Sequence, residues 1–305
     1  MMDNKDKRLL DEVGLSAEAI ERELARKGVD VPMIDVVWES ASTNRTAEEY
    51  SRTHSETAVF IADGQTAGRG RRGRSFASPH GAGIYMSILL CPRENLSDLT
   101  AVTTFTAVAV CRAIERVCGL SADIKWVNDV YYKGKKLGGI LTEGALTEDM
   151  RTARYVIVGI GLNVLRANMP EELRDIALSI EEASGVACDR NLLIAEIIAE
   201  FIGGLASLGS PEIRDEYRRR CFLIGREVTV HRLDRSYPAL VTDVAEDMSL
   251  LLRLSDGNTE KLNTGEVSVR ERQTIVYINP TDFVRKILSF SACCKKKTKK
   301  HSASP

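Results

Sequence analysis

The sequence predicts an α+β fold, a mixed sheet flanked by helices and followed by a small all-β domain, and three observations predict it. Glycine-bearing runs with strand character recur between residues 34 and 164, around one long and almost unbroken apolar helical segment at about 99 to 118. Beyond Gly225 the pattern changes to five short strands separated by turn residues. Helical patterns fill the interval between those two regions.

The chain of 305 residues has ample material for a buried core. A hydrophobic content of 44% and a charged content of 28% belong to an ordinary globular protein. No apolar run approaches the ~20 residues of a membrane helix, and the amino terminus is charged where a signal core would be apolar. No membrane partner is expected, and the expected location is the cytoplasm. Seven cysteines, at 91, 111, 118, 188, 221, 293 and 294, form no C-x-x-C pair and read as core residues and two tail thiols. The net charge of -1 is uneven, because residues 283 to 305 carry seven Lys/Arg and no acid, which leaves -8 elsewhere. A mildly acidic body argues against a general nucleic-acid binder.

In chain order, residues 1-31 read as a short helical lead-in, with Ser16 capping an amphipathic helix after Gly14. Some 30 residues are too few for a helix-turn-helix module with its own core, so no DNA partner is expected. The body spans 32-221. Ile34–Trp38 is a strand, Ser42-Thr43-Asn44 a turn capping a helix at about 45 to 53, and Thr57–Ala62 and Gly83–Leu90 are strands on either side of an arginine loop. The long helix ends at Gly119. Strands follow at Ala122–Trp126, Val130–Tyr132, Lys136–Thr142 and Tyr155–Val164, the middle two forming a hairpin with a glycine turn. Helices are expected near Pro170, from 190 to about 208 behind the Asp189 cap, and from Pro211 to Arg220. The all-β domain occupies 222-278, and a basic tail, expected to be disordered, occupies 279-305.

The loop Gln65–Phe76 places Gly68, Gly70 and Gly73 among Arg69, Arg71, Arg72 and Arg74. Glycine lets backbone approach a ligand, and guanidinium forks fit phosphate or carboxylate, so this is an anion-handling loop. Gly68-x-Gly70-x-x-Gly73 also satisfies a dinucleotide fingerprint, but the loop joins two strands and no helix follows, so the Rossmann reading is rejected. A second string, Lys125-Trp-Val-Asn-Asp129, puts a lysine at a strand end beside an amide and a carboxylate. Alone it is a weak signal, since strand-end lysines are mostly solvated.

Together with Lys136-Leu-Gly-Gly-Ile-Leu141 and Gly159-Ile-Gly-Leu-Asn163, these strings resemble those of the biotin protein ligases over about residues 34 to 272. Five family markers occur in order: the Ser-Thr-Asn turn, the glutamine with its Gly-Arg-Gly-Arg loop, the Lys-Trp string, the Lys-x-x-Gly-Ile-Leu string and the glycine-rich strand ending in asparagine. The resemblance implies a class II synthetase-like mixed sheet, an SH3-like β-barrel as the small domain, and no amino-terminal repressor domain. Three positions depart from the family pattern: Val127 for a common proline, Phe76 for a frequent tryptophan, and Leu178 for a frequent threonine.

The resemblance also implies a chemistry. Biotin's carboxylate attacks the α-phosphate of ATP, two anions meeting, so cations must neutralise both and hold them in line. Lys125, Arg71 and Arg69 are the catalytic candidates. Ser42, Thr43, Asn44, Gln65, Arg69, Gly70, Arg71, Lys125, Gly138 and Gly139 are assigned to biotin, and Arg71, Arg72, Arg74, Phe76, Asn128, Lys136 and Asn163 to ATP and the adenylate. Mg2+ is expected with ATP, bound by phosphate as much as by protein; Asp129 is the visible carboxylate. The partner is a biotin carboxyl carrier domain, and both a monomer and a homodimer stay open. The alternatives are a lipoate ligase, which runs the same two steps on a related scaffold, and an anion- or nucleic-acid-binding module built on Arg69 to Arg74.

Overall fold

A computed structural model describes residues 4–91, 98–146, 153–166, 171–232, 235–263 and 266–269. The lead-in is two helices, α1 (Asn4–Val13) and α2 (Ala17–Arg26), because Gly14 at φ +67° breaks the run and the Ser16 side chain accepts from the Ala19 amide to start the second. Ile20 and Leu24 of α2 are buried in the main core, so the lead-in packs as part of the body.

The body is a seven-stranded sheet. Its strands are β1 (Met33–Ser40), β2 (Ala58–Gln65), β3 (Gly83–Leu90), β4 (Asp123–Lys125), β5 (Asp129–Tyr132), β6 (Lys135–Leu146) and β7 (Ala153–Asn163), in spatial order β1-β2-β3-β7-β6-β5-β4. Only β1 and β2 pair in parallel; the other pairs are antiparallel. The connection from β2 to β3 is therefore the arginine loop between antiparallel neighbours, with no helix after it other than the single turn Arg71–Gly73. The expected exclusion of a dinucleotide fold holds.

Strand alternation sorts side chains to two faces. On one face Val59, Ile61, Met86, Ile88, Val158 and Ile160 pack beneath α4 (Leu99–Cys118) and the later helices. Asp98 caps α4, accepting from the amides of Thr100 and Ala101, and Gly119 at φ +64° ends it as expected. On the other face Ala58, Phe60, Leu89 and Ile157 meet Ala47 of α3 (Thr43–Tyr50). Ser42 stands at the N-cap of α3, yet its side chain makes no capping bond, which corrects the expectation of a simple cap.

The remaining helices are α5 (Ile180–Ser184), α6 (Arg190–Gly204) and α7 (Pro211–Arg220). α5 was not expected; its signal is the capping box of Ser179 and Glu182, both halves of which are made. The helix expected at Pro170 starts outside the described residues. The fully buried Asp63 of β2 pairs with Arg190 of α6 at 2.7 Å, and the same guanidinium donates to the carbonyls of Gly83 and Val13. One cation thus ties sheet, helix layer and lead-in together.

The carboxy-terminal part is a five-stranded antiparallel sheet of β8 (Glu227–His231), β9 (Ser236–Val244), β10 (Leu250–Leu254), β11 (Thr259–Leu262) and β12 (Glu266–Val269), ordered β11-β10-β9-β8-β12. All five expected strands are present. It belongs to the same compact unit as the body, and Trp126 Nε1 donates to the Met248 carbonyl at 2.7 Å across the join. The basic tail and the end of the expected domain beyond residue 269 lie outside the described residues.

Candidate functional site

Register carves the site. On the α3 face of the sheet, three cross-strand rows run Leu89–Ile157–Glu143, Ser87–Gly159–Leu141 and Tyr85–Gly161–Gly139. The first row is filled and packs; the next two carry glycine where a side chain would stand up from the sheet. A Cβ at Gly159 would come within 2.1 Å of Asn44 Oδ1, and one at Gly161 within 2.7 Å of the Phe76 ring. Glycine is required there so that Asn44 from α3 and Phe76 from the arginine loop can lie directly on the strands.

The result is a cavity of about 190 Å3. It is lined by Ser42, Thr43 and Asn44; by Gln65, Arg69, Gly70, Arg71, Arg74, Ser75 and Phe76 of the loop; by Lys125, Trp126, Asn128, Asp129, Lys136, Gly139, Ile140 and Leu141; by Met86, Gly159, Ile160 and Gly161; and by Glu266 and Val267. Segments scattered over more than 200 residues of sequence therefore converge. Of the residues assigned from sequence, Gly138, Asn163 and Arg72 are not among the lining. Gly138 serves strand packing, since a Cβ there would meet the Gly161 carbonyl at 2.3 Å. Asn163 turns its amide toward the Lys136 carbonyl at 3.4 Å. Arg72 is exposed, at φ +57°.

One end of the cavity is neutral and polar. The Gln65 carbonyl oxygen accepts from the Thr43 backbone amide at 2.9 Å, and its amide donates to Ser78 Oγ at 2.9 Å. Ser87 Oγ lies 2.7 Å from Thr43 Oγ1 and 2.6 Å from Asn44 Oδ1. Thr43, Asn44, Ser78 and Ser87 are buried, Gln65 is half-buried, and all are hydrogen-bonded, which fixes their rotamers.

The other end is cationic, and its cations fall into two kinds. Arg69, Lys136 and Arg74 each hold a carboxylate: Glu143 at 2.9 Å, Asp129 at 2.8 Å and Glu266 at 2.6 Å. Arg71 and Lys125 form no ion pair among the described residues. Arg71 donates to the Asn128 side chain at 3.0 Å, and Asn128 in turn donates to the Ile140 carbonyl at 2.8 Å. Lys125 Nζ stands 5.5 Å from the centre of the Tyr131 ring. Burial pushes both groups below their ordinary pKa values, with nearby Asp129 opposing the shift in each case. Two half-buried cations without a carboxylate partner are electrostatically unfinished, and an anion between them would be held strongly.

The strand end that carries Lys125 is braced from two sides. Tyr217 Oη of α7 donates to the Val127 carbonyl at 3.1 Å, and Trp126 is anchored to Met248. The Ala177–Ser179 segment, whose role the sequence left open, pairs with the backbone of Lys136: the Lys136 amide donates to the Ile176 carbonyl and the Leu178 amide donates to the Lys136 carbonyl.

Several residues of the site were not anticipated. Ser87 is the lone polar side chain of the otherwise apolar strand Gly83–Leu90, which was a usable signal. Glu143 follows Gly139 and Leu141 at a spacing of two along β6, so alternation places it on their face. Glu266 had no local signal, because it arrives from the carboxy-terminal sheet 192 residues after Arg74.

Residues 37–163 match the biotin/lipoate A/B protein ligase family, and residues 223–270 match the biotin protein ligase C-terminal domain. The chain is 36% identical over 223 residues to the bifunctional ligase/repressor BirA of Bacillus spizizenii, covering 71% of this chain and 68% of that protein. It is 29% identical over 262 residues to the biotin--[acetyl-CoA-carboxylase] ligase of Mycobacterium tuberculosis, covering 83% of this chain and 95% of that one. Among solved structures, the biotin protein ligase from Aquifex aeolicus in complex with biotin and ATP superposes with a TM-score of 0.66 at 28% identity, covering 79% of this chain and 99% of the other.

Proposed function

We propose that this chain, which belongs to the biotin protein ligase family, condenses biotin with ATP to biotinyl-5'-AMP and pyrophosphate. It then passes the biotinyl group to a lysine of a biotin carboxyl carrier domain with release of AMP. The observation that carries the assignment of roles is the contrast between paired and unpaired cations in one cavity. Arg71 and Lys125, the two without carboxylates, are where two reacting anions gain most.

In the first step a carboxylate oxygen of biotin attacks the α-phosphorus, a C(O)–O–P bond forms, and the bond to the bridging oxygen breaks as pyrophosphate leaves. Lys125 bridges the carboxylate and an α-phosphate oxygen, so that charge developing in flight meets a cation already in place. Arg71, held by Asn128, keeps the α-phosphate in line. The neutral end, with Ser42, Thr43, Asn44 and Gln65, receives the cyclic urea, and Gly159 and Leu141 lie under its chain. Phe76 presents a ring face to the adenine.

Glu143, Asp129 and Glu266 act as stand-ins that keep Arg69, Lys136 and Arg74 ordered before phosphates arrive. Magnesium bound with ATP would neutralise phosphate charge, and Asp129, a carboxylate that lines the cavity and is engaged by Lys136, would be the side chain to help hold it. In the second step the carrier amine attacks the acyl carbon and AMP leaves. A loop lying over the mixed anhydride excludes water from it meanwhile.

Incubating the protein with a carrier domain, ATP and either biotin or lipoate, followed by mass spectrometry of the carrier, tests the reading. A biotinyl adduct on lysine is expected; a lipoyl adduct without a biotinyl one overturns it.

A further inference from the structure

The neutral end of the cavity is a chain of hydrogen bonds, and a carboxylate terminates it. Glu143 Oε2 accepts from Asn44 Nδ2 at 2.8 Å, while its Oε1 accepts from Arg69 Nη2 at 2.9 Å. A carboxylate offers acceptors only, so the nitrogen of the Asn44 amide must face Glu143 and its oxygen must face Ser87. The Ser87 hydroxyl, 2.6 Å from that oxygen, has a single proton and an acceptor before it that cannot donate, so the proton goes to Asn44. The fully buried Ser87 oxygen, left as an acceptor, takes the Thr43 hydroxyl proton across 2.7 Å in preference to the Gln65 carbonyl oxygen, which lies 3.3 Å from Thr43 Oγ1 and already accepts from the Thr43 amide. With its proton committed to these protein acceptors, Thr43 Oγ1 is left with lone-pair density for the cavity that it lines.

We propose that Glu143 is a positioning residue that determines specificity: by fixing the proton order of Asn44, Ser87 and Thr43, it makes the ring end of the cavity an acceptor, matched to the N–H groups of a cyclic urea. The inference rests on the assignment of that end to biotin's ring. A neutral amide in place of the carboxylate can donate as well as accept. Asn44, its nitrogen then held toward the sheet only by the longer 3.4 Å contact with the Leu141 carbonyl, can turn over, the Ser87 proton is released toward Thr43, and Thr43 presents a donor as readily as an acceptor.

The test is steady-state kinetics of biotin-dependent pyrophosphate exchange for wild type, Glu143→Gln, Glu143→Asp and Ser87→Ala. A biotin analogue methylated on its ureido nitrogens serves as competitive inhibitor, because it lacks the N–H donors. For Glu143→Gln the KM for biotin is expected to rise about tenfold or more, the size of one misdirected buried hydrogen bond. The KM for ATP should change less, and the preference for biotin over the methylated analogue should fall by a similar factor. Glu143→Asp, still acceptor-only, keeps most of the preference. Ser87→Ala, which leaves Arg69 and Glu143 in place, loses it. An unchanged preference in both Glu143→Gln and Ser87→Ala overturns the inference, as does a loss in Glu143→Gln confined to kcat, which would mean that Glu143 acts only through Arg69. Failure of the functional reading is separate, since it shows as wild-type protein without biotin-dependent exchange.

Discussion

Replacing Lys125 with methionine probes the electrostatic core of the mechanism. The side chain keeps its length and loses its charge. A unit positive charge ~4 Å from a unit negative charge is worth about 4 kcal/mol at an effective dielectric of ~20. At 1.36 kcal/mol per decade, its loss from a transition state that carries negative charge on both the carboxylate and the α-phosphate slows adenylate formation by about three decades. The fold should tolerate the change, because the ammonium contributes one cation–π contact to Tyr131 at 5.5 Å, worth about 0.5–1 kcal/mol at such a site. Single-turnover formation of biotinyl-adenylate is the assay. Rates within tenfold of wild type, in protein with an unaltered melting curve, would refute the role. The pH dependence gives an independent check. Burial lowers the Lys125 pKa from 10.5, so the unfolded chain binds the proton more tightly than the folded one. Between the lowered value and 10.5 this group makes stability rise with pH, while kcat/KM falls as the charge that serves catalysis is lost. Bound anionic substrate favours the charged form, so the alkaline limb of kcat lies above that of kcat/KM. Lys125→Arg retains a charge throughout and should lose this limb, whatever its residual rate.

Four further outcomes follow from individual contacts. Arg71→Ala should release biotinyl-adenylate at least tenfold faster, read by trapping the intermediate on excess carrier domain; retention equal to wild type removes Arg71 from the clamp. Gly159→Ala forces a methyl against Asn44 Oδ1, within 2.1 Å. At an overpacking cost of about 1–3 kcal/mol the KM for biotin should rise about ten- to a hundredfold, with a smaller change for ATP. Trp126→Phe leaves the Met248 carbonyl without its buried donor, a loss of about 1–3 kcal/mol measurable by urea unfolding. Asp63→Ala strands the buried Arg190 guanidinium and should cost about 3–5 kcal/mol, seen as a lower melting temperature, where Arg45→Ala, at an exposed helix pair, should cost less than 1 kcal/mol.

Much of this protein was legible along the chain. The limits of β3, α4, α7 and β11 coincide with Gly83, Asp98 and Gly119, Pro211, and the turn at Asp256–Asn258, because local chemistry sets where those elements start and stop. The arginine loop, the Lys125 string and the Ser-Thr-Asn turn were identifiable because their residue types are unusual for their positions, and most of the residues assigned to them line one cavity. The helix that precedes Gly14, α1, and the short α5 were less visible, since elements of five to ten residues leave little periodicity to detect.

The tertiary structure decided what a single strand of letters does not encode. The register of β3, β7 and β6 aligns Ser87, Gly159 and Leu141 in one row, and Tyr85, Gly161 and Gly139 in the next, and hydrogen-bonded register depends on three strands at once. It also decided which cations hold a carboxylate and which do not: Glu143 and Glu266 reach Arg69 and Arg74 from 74 and 192 residues away. The residue types and their local order thus specify that anions are handled here. The pairing that leaves Arg71 and Lys125 without a carboxylate among the described residues arises only when distant strands close on one another, because electrostatic complementarity depends on distances through space and not along the chain.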